Sequence, residues 1–387
     1  MPEILSKFSF PTEWGFVREP ARPKDLQVLD FDKTYDYHTL WNDAIQIRPD
    51  TLLLIGPPLY NAVHWINNSC HFYDELGNKL DWKYSELDRA CVTVVSTKTW
   101  MQKLIFVTPY NKHEITINYS SSDFNNKTVI ITISKNNPIS WLKQWIDFHH
   151  VVHGVDGILL YNNQSTIYTN DYLESQLYRP DMTIKVVDYN VPYGTLGGGL
   201  WSWQGRNGTY LPWDSDFAQY VMLEHAKWRY LHSSKLVISA DSDELLTIPN
   251  TTLSKISEYC ETSTNSVWQY KGIWIEPVDG DTKEIASSIA NEDRYFNRYW
   301  LTNYSEQRGI GIKWLMNPRR NLEFQWRMHD VTGPHMMTQD ISYGHYLAMN
   351  TGWSWKRDSY NSDIPSLTEY MPIKRDLDIW NKFGALK

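Results

Sequence analysis

From Thr128 to Ala240 the chain alternates near-continuous apolar runs with apolar residues at helical spacing, and that alternation leaves few folds open. "TVIITIS" at Thr128, "GILLYNN" at Gly157, "MTIKVVDY" at Met182 and "KLVISA" at Lys235 are short, apolar and rich in β-branched residues. Strands of this kind are buried on both faces, as in a parallel sheet covered by helices. Trp141, Leu142, Trp145, Ile146 and His149 recur at helical spacing behind Pro138, a residue suited to a helix start, and Gly154 ends that helix. A weaker helix is expected from about Thr169 to Tyr178. Another, marked by Phe217, Tyr220, Val221, Glu224 and Trp228, is expected to reach about His232. The expected class is α/β, with a mostly parallel sheet flanked by helices. Ligands of such sheets bind at the carboxyl ends of the strands.

The fourth strand runs straight into "DSDELL", which places Asp241, Asp243 and Glu244 at one of those ends. Carboxylates rarely enter such a setting unless they are paired or bind a metal. In one reading Asp241 and Asp243 hold Mn²⁺ or Mg²⁺ on a substrate diphosphate, since these cations take oxygen ligands and let phosphate complete the shell. In the other the strand ends in a solvated acidic turn. D-x-D alone does not decide between them.

The first 125 residues read differently. "TLLLIG" at Thr51, "CVTVVS" at Cys91, "KLIFVT" at Lys103 and "EITINY" at Glu114 are candidate strands separated by polar turns, so an accessory β-rich domain is expected over 1–125. "SSSDFNNK", Ser120 to Lys127, reads as a linker. An α/β domain over 126–358 and a carboxyl-terminal extension over 359–387, packed on it, complete the expected layout. The formal charge of −8 comes without a basic block, which speaks against a nucleic-acid partner. Cys70, Cys91 and Cys260 lie too far apart for a metal motif or a disulfide framework. Sequons at Asn67 and Asn126 carry little weight in an Asn-rich chain. The opening "MPEILSKFSFPTEW" lacks the apolar core of a signal peptide, and no apolar run reaches the ~18 residues that span a membrane. The expected location is cytoplasmic, or peripheral at a membrane. The 19 Trp and 25 Tyr suit either sugar-binding surfaces or core filling.

The order of segments resembles family 92 and related family 2-like glycosyltransferases. "TISKNNPISWLKQWIDFHHVVHGVDGILLYNNQS" is similar to their opening strand, polar turn, helix with Trp-Ile and a trailing His, and second strand ending in D-N-x-S. "AQYVMLEHAKWRYLHSSKLVISADSDELL" resembles their helix with a leading Gln followed by D-x-D-E-F, with Leu245 where Phe is usual. "IKWLMNPRRNLEFQWRMHDV" matches a K-x-I-x-x-P segment through Lys313, Pro318 and His329, and "GHYLAMNTGW" a later His-Tyr element at His345 and Tyr346. The likeness covers roughly Thr128 to Trp355. It departs where Asn162 replaces Asp of D-N-x-S and where Asn137 or Pro138 replaces Glu of the turn.

The resemblance implies the GT-A fold and transfer of a sugar from a nucleotide diphosphate donor, a UDP-sugar above all, to a glycan acceptor hydroxyl. It places the donor at Ser134, Asn136, Asn162, Lys313 and Asp241, and the metal at Asp241 and Asp243 with His329 or His345. Inversion of the anomeric centre, as the family implies, needs a carboxylate base; Glu276 in "GIWIEPVDG" is the first candidate and Asp279 the second, with Glu323 and Asp330 behind them. The loop Val191 to Asp214 joins Gly197–Gly199 with Trp201 and Trp203, which could form an acceptor platform or an ordinary surface loop. The alternative is a catalytically inactive carbohydrate-binding protein of the same fold. A glycosidase is disfavoured, because Asp241 and Glu244 in one turn would rarely lie across a sugar.

Overall fold

The computed structural model describes residues 4–195, 214–249, 255–256, 258, 266–303, 311–351 and 367–384. Elements are numbered from Thr128 onward. β1 is Thr128–Ser134, α1 Ile139–His153, β2 Gly157–Asn162, α2 Asn170–Leu177, β3 Thr183–Asp188, α3 Phe217–Ala226 and β4 Leu236–Ser239. β5 is Glu244–Thr247, β6 Val267–Ile275, β7 Ile312–Met316, β8 Met336–Met337, β9 Ser342–Tyr346 and α4 Met371–Gly384.

The local chemistry accounts for these elements. β1 and β2 are buried at every position, as their apolar runs require. α1 follows Pro138 and stops at Gly154, whose φ of 66° is a left-handed position that glycine takes without a Cβ clash. Thr169 caps α2 by accepting the Tyr172 N–H at 3.3 Å. α3 continues past Ala226 into a π-helical turn over Lys227–Leu231.

The strands lie in the order β3-β2-β1-β4-β7-β6-β9-β5, with β8 also on β6. β3, β2, β1 and β4 pair in parallel, and so do β6 and β9. β7 runs antiparallel to β4 and β6, and β5 antiparallel to β9. The sheet is mostly parallel and α/β in class, as the alternation requires. The chain steps outward from β1 to β3 and then returns to place β4 on the other side of β1. The gap between the carboxyl ends of β1 and β4 is therefore a topological switch point, where such sheets receive ligands. α4 packs against α1 and β5. No helix among the described residues is long and apolar enough to cross a membrane.

The amino-terminal strands form a five-stranded sheet ordered Asn118–Tyr119, Asp43–Arg48, Thr51–Gly56, Ala90–Ser96 and Trp82–Leu87, and a four-stranded sheet beside it. Ile45, Leu53, Ile55, Ala90 and Val92 of the larger sheet share one apolar cluster with Val129 and Ile131 of β1 and with Val221 of α3. The expected linker is corrected here. Phe124 is fully buried in the same cluster, and the Ser121 and Asn126 N–H groups donate to Arg229 O at 2.6 Å and Ser233 O at 3.1 Å. A buried phenylalanine between two polar turns ties this segment down. Trp141, Trp145, Trp268, Trp314 and Trp326 are each less than 2% exposed, so these rings fill the core rather than meet sugar.

Asp43 is fully buried where the two sheets meet. Its Oδ1 accepts from Ser6 N at 2.9 Å and Asn118 Nδ2 at 2.7 Å, and its Oδ2 meets His225 Nε2 at 2.9 Å and Arg229 Nη1. Tyr161 OH lies 2.7 Å from the other ring nitrogen of His225, which carries the network into β2. Burial pushes the Asp43 carboxyl up, but the His225 hydrogen bond and the Arg229 charge outweigh it and hold the group below the usual range. A folded-state pKa depressed in this way adds stability above the unfolded value near 4, and that stability is lost as pH falls through the folded value. Asp43→Ala strands two buried donors, so urea unfolding at pH 7 should show a loss of about 3–5 kcal/mol. The gap between native and variant should narrow in acid.

Candidate functional site

The site is built where β4 ends. Asp241 to Glu244 make a tight turn in which the Glu244 N–H donates to Asp241 O at 3.0 Å and the Asp241 N–H donates to Glu244 Oε2 at 2.9 Å. This reciprocal bonding turns the chain from β4 into β5 and draws Glu244 inward until it is 1% exposed. β7 lies antiparallel beside β4, with Ile238 opposite Leu315, which brings Lys313 level with the turn. Its ammonium lies 2.8 Å from Asp241 Oδ2 and 3.3 Å from Glu244 Oε2, and the side chain is almost wholly buried. β9 pairs with β5 so that His345 faces Glu244 directly. His345 Nε2 lies 3.2 Å from Asp243 Oδ2, and its Nδ1 3.6 Å from Glu244 Oε1. Trp274 of β6 stacks on the His345 ring at 4.4 Å.

The charges do not balance. Burial pushes the Asp241 carboxyl up, but Lys313 overrides it and holds Asp241 below its ordinary value. Glu244 is pushed up by burial and by Asp241 and Asp243, more than Lys313 pulls it down. Burial opposes the Lys313 charge, yet Asp241 and Glu244 raise its pKa. Glu244 Oε1 is buried with no hydrogen-bond partner among the described residues. Three carboxylates thus stand against one lysine, which meets Asp241 and Glu244, while Asp243 meets His345. His329 is exposed, and its Nδ1 lies 3.0 Å from Ile312 O.

Asp241, Asp243, His345 and His329 are residue types that can hold a divalent cation. Carboxylate oxygens with an imidazole are suitable ligands for Mn²⁺. Among the described residues no group of three or more acidic, histidine or cysteine side chains is placed to hold a metal ion. Mg²⁺ and Mn²⁺ usually take one or two carboxylates and let substrate phosphate fill the rest.

The other sequence candidates fall into three places. Ser134 ends β1, and its Oγ accepts from Asn137 Nδ2 at 3.0 Å; the same amide donates to Ser242 Oγ at 3.0 Å, so Asn137 bridges the switch point. Asn136 takes a left-handed φ of 55° and exchanges hydrogen bonds with Thr166. Asn162 ends β2, where its Oδ1 accepts from Ser165 Oγ and its Nδ2 donates to Asn170 Oδ1, both at 2.5 Å. Asn162 lines an open cavity of about 470 Å³ with Gln164, Thr169, Asn170, Asp188 and Asn190. Glu276 follows β6 two positions beyond Trp274 and is 1% exposed. Asp279 lies in the next turn, where its Oδ1 accepts the N–H groups of Asp281 and Thr282 at 2.9 Å each. Trp201 and Trp203 lie outside the described residues.

Sequence reasoning missed Trp274, Ser242 and the bridging role of Asn137. Trp274 stands two residues before Glu276, so the alternation of the strand could have flagged it. The Asn137 bridge has no sequence signal, because its partner is 105 residues away.

A comparison with protein-family models finds no match, and one with curated proteins finds none. Among solved structures the chain is similar to WbbM, a bifunctional glycosyltransferase, with 11% identity and a TM-score of 0.29 over 59% of this chain and 37% of that one. The match to HddC from Yersinia pseudotuberculosis has 13% identity and a TM-score of 0.27, over 55% and 89%. The match to the mannosyltransferase Ktr4p from S. cerevisiae in complex with GDP has 11% identity and a TM-score of 0.23, over 40% and 43%. The chain thus spans little more than a third of WbbM.

Removing Lys313 alone should leave the buried Glu244 and the half-buried Asp241 without their cation. Lys313→Met is expected to lose about 3–5 kcal/mol in chemical denaturation. Glu244→Gln in the same background should recover part of that loss, so a double-mutant cycle should show coupling of about 1 kcal/mol or more. Additive effects would mean that the pair is not an energetic unit.

Proposed function

We propose that this chain is a metal-dependent glycosyltransferase of GT-A type. It moves a sugar from a nucleotide diphosphate donor, a UDP-sugar, to a glycan acceptor hydroxyl with inversion. One observation carries the reading: Asp241, Asp243, Lys313 and His345 converge at the switch point of the sheet, with the polar cavity of β2 and β3 beside them. The cavity offers Asp188 and Asn190 to a nucleoside, with Asp188 able to accept from a ribose hydroxyl. The diphosphate then falls between that cavity and Asp241. Lys313 meets it as a point charge. Mn²⁺ or Mg²⁺ at Asp241 and Asp243 would neutralise charge on the leaving nucleotide. Asn162 stands where the resembled family carries an ionised Asp, and both ends of its amide are engaged within the protein. That feature favours the second reading, an inactive carbohydrate-binding protein of the same fold.

A thermal-shift series with UDP, GDP, CMP and dTDP, each with and without Mn²⁺, separates the two. A ligand that binds only the folded state stabilises it by about 2.7 kcal/mol at a hundredfold excess over Kd. The transferase reading expects one nucleotide to raise Tm only when Mn²⁺ is present, and Asp243→Ala to abolish the rise. A cooperatively melting protein that responds to no nucleotide would sink the reading.

A further inference from the structure

Trp268 of β6 and Trp314 of β7 are 1% and 0% exposed, and each belongs to one of the two apolar clusters that sandwich the sheet. Trp274, further along β6, differs from both. It is half-buried, and among the described residues it belongs to no apolar cluster. Core filling is the usual use of a tryptophan on a strand, and it does not account for this one.

Strand register sets where the ring goes. β6 and β9 pair in parallel with Trp274 opposite His345, and β9 pairs with β5 so that His345 is opposite Glu244. Residues opposite one another project to the same face. Glu244, His345 and Trp274 therefore form one row across three strands, beginning at the acidic turn. The Trp274 and His345 rings stack with centroids 4.4 Å apart and 29° between their planes. His345 Nε2 in turn lies 3.2 Å from Asp243 Oδ2, so one ring's width separates Trp274 from the turn. Behind the row, Gly272 makes room for another ring: a Cβ there would lie 2.5 Å from the Tyr343 phenol carbon. The Tyr343 hydroxyl donates to Gly311 O at 2.6 Å, and its ring lies 6.4 Å from that of His345. Tyr343 and His345 are buried, which leaves Trp274 the most exposed of the three rings.

We propose that the Trp274 ring is a platform for a pyranose, either the sugar undergoing transfer or the acceptor ring that receives it. This assignment deepens the transferase reading and rests on it. The strand order puts the polar cavity of β2 and β3 on one side of Asp241 and Trp274 of β6 on the other. With a nucleoside in that cavity and the diphosphate at Asp241, the sugar at the far end of the diphosphate lies toward Trp274. A pyranose carries a patch of C–H bonds on its ring face and hydroxyls around its edge. An indole takes that patch out of water. Asp243 and His345, beside the ring, offer partners to the hydroxyls. An aromatic surface with a few placed polar groups is the common make-up of a small-molecule site. Because strand register and the stacked His345 already hold the indole, little side-chain freedom is left to lose on binding.

The test compares bare nucleotides with sugar nucleotides. UDP and GDP, then UDP-glucose, UDP-galactose, UDP-N-acetylglucosamine and GDP-mannose, are titrated with Mn²⁺ into the native chain, Trp274→Leu and Trp274→Phe. Nucleotide release is then followed against p-nitrophenyl glycosides of glucose, galactose, mannose and N-acetylglucosamine. Trp274→Leu keeps apolar bulk without a flat face, and Trp274→Phe keeps a flat ring. A transferred sugar on the platform means that Trp274→Leu weakens the sugar nucleotide about tenfold and leaves the bare nucleotide unchanged. An acceptor ring there means that both Kd values hold while the glycoside KM rises about tenfold. In either arm Trp274→Phe should recover most of the loss. Should Trp274→Leu fail to fold, 5-fluorotryptophan labelling decides: the resonance missing from Trp274→Phe should shift with the sugar nucleotide or glycoside and stay put with the bare nucleotide. Equal losses for bare and sugar nucleotides would show that the ring only holds His345, and overturn the assignment. Native constants in Trp274→Leu, a resonance that does not shift, or a native chain that binds a nucleotide but responds to none of these sugars overturn it as well. A native chain that binds no nucleotide overturns the transferase reading and this assignment with it.

Discussion

The buried ammonium of Lys313 is the contact on which the site depends. Asp241, Asp243 and Glu244 crowd one turn, and Asp241 and Glu244 could not share their oxygen geometry without a cation between them. The fold supplies that cation by laying β7 antiparallel beside β4, so that a residue 72 positions downstream of Asp241 arrives level with it. The purely parallel part of the sheet could not do this with a neighbouring strand, because its partner β1 presents Ser134 and the turn to α1 at that end. The antiparallel half of the sheet is therefore what turns a strand end into a charged site. His345 enters by the same device, carried on β9 opposite Glu244.

Three carboxylates stand against that one lysine at the turn. The crowding shows as the raised proton affinity of Glu244 and as its unbonded Oε1. Proteins do not usually keep such crowding in a buried turn without use, since desolvating charge costs several kcal/mol per ion. The simplest use is to leave room for a cation that arrives with an anionic ligand. The amide-rich cavity at β2 and β3, lined by Asp188 beside Asn162, Gln164, Asn170 and Asn190, is the complementary half: it can bind a polar group by hydrogen bonds.

The amino-terminal sheet is more than an appendage. Asp43 anchors it through His225 and Arg229, and Arg89, in the turn between strands Trp82–Leu87 and Ala90–Ser96, meets Asp216 ahead of α3 at 3.5 Å. The Asp43 contacts are buried charge pairs, which demand close geometry and so fix how the two sheets meet. The π-helical turn after α3 carries Arg229, and a widened turn of that kind commonly marks a functional or strained position.

The sequence alone determined the strands and helices between Thr128 and Ala240, their parallel pairing and the place of Asp241, Asp243 and Glu244 at a strand end. Those features are local: a run of β-branched residues, a helical spacing after Pro138, a glycine stop at Gly154. It also picked out Lys313, His329 and His345 by resemblance, but not what each one touches. Only the tertiary structure decided that Lys313 lies between Asp241 and Glu244, that Trp274 stacks on His345, that Asn137 bridges to Ser242 and that Asp43 and Arg89 tie the amino-terminal sheet to the rest. It also showed that the Ser120–Lys127 stretch, polar but for Phe124, is held by that one buried ring. These contacts join residues from 69 (Glu244–Lys313) to 186 (Asp43–Arg229) positions apart in the chain. Such pairings are set by strand order and register, which depend on every element packing at once, and no local pattern encodes them.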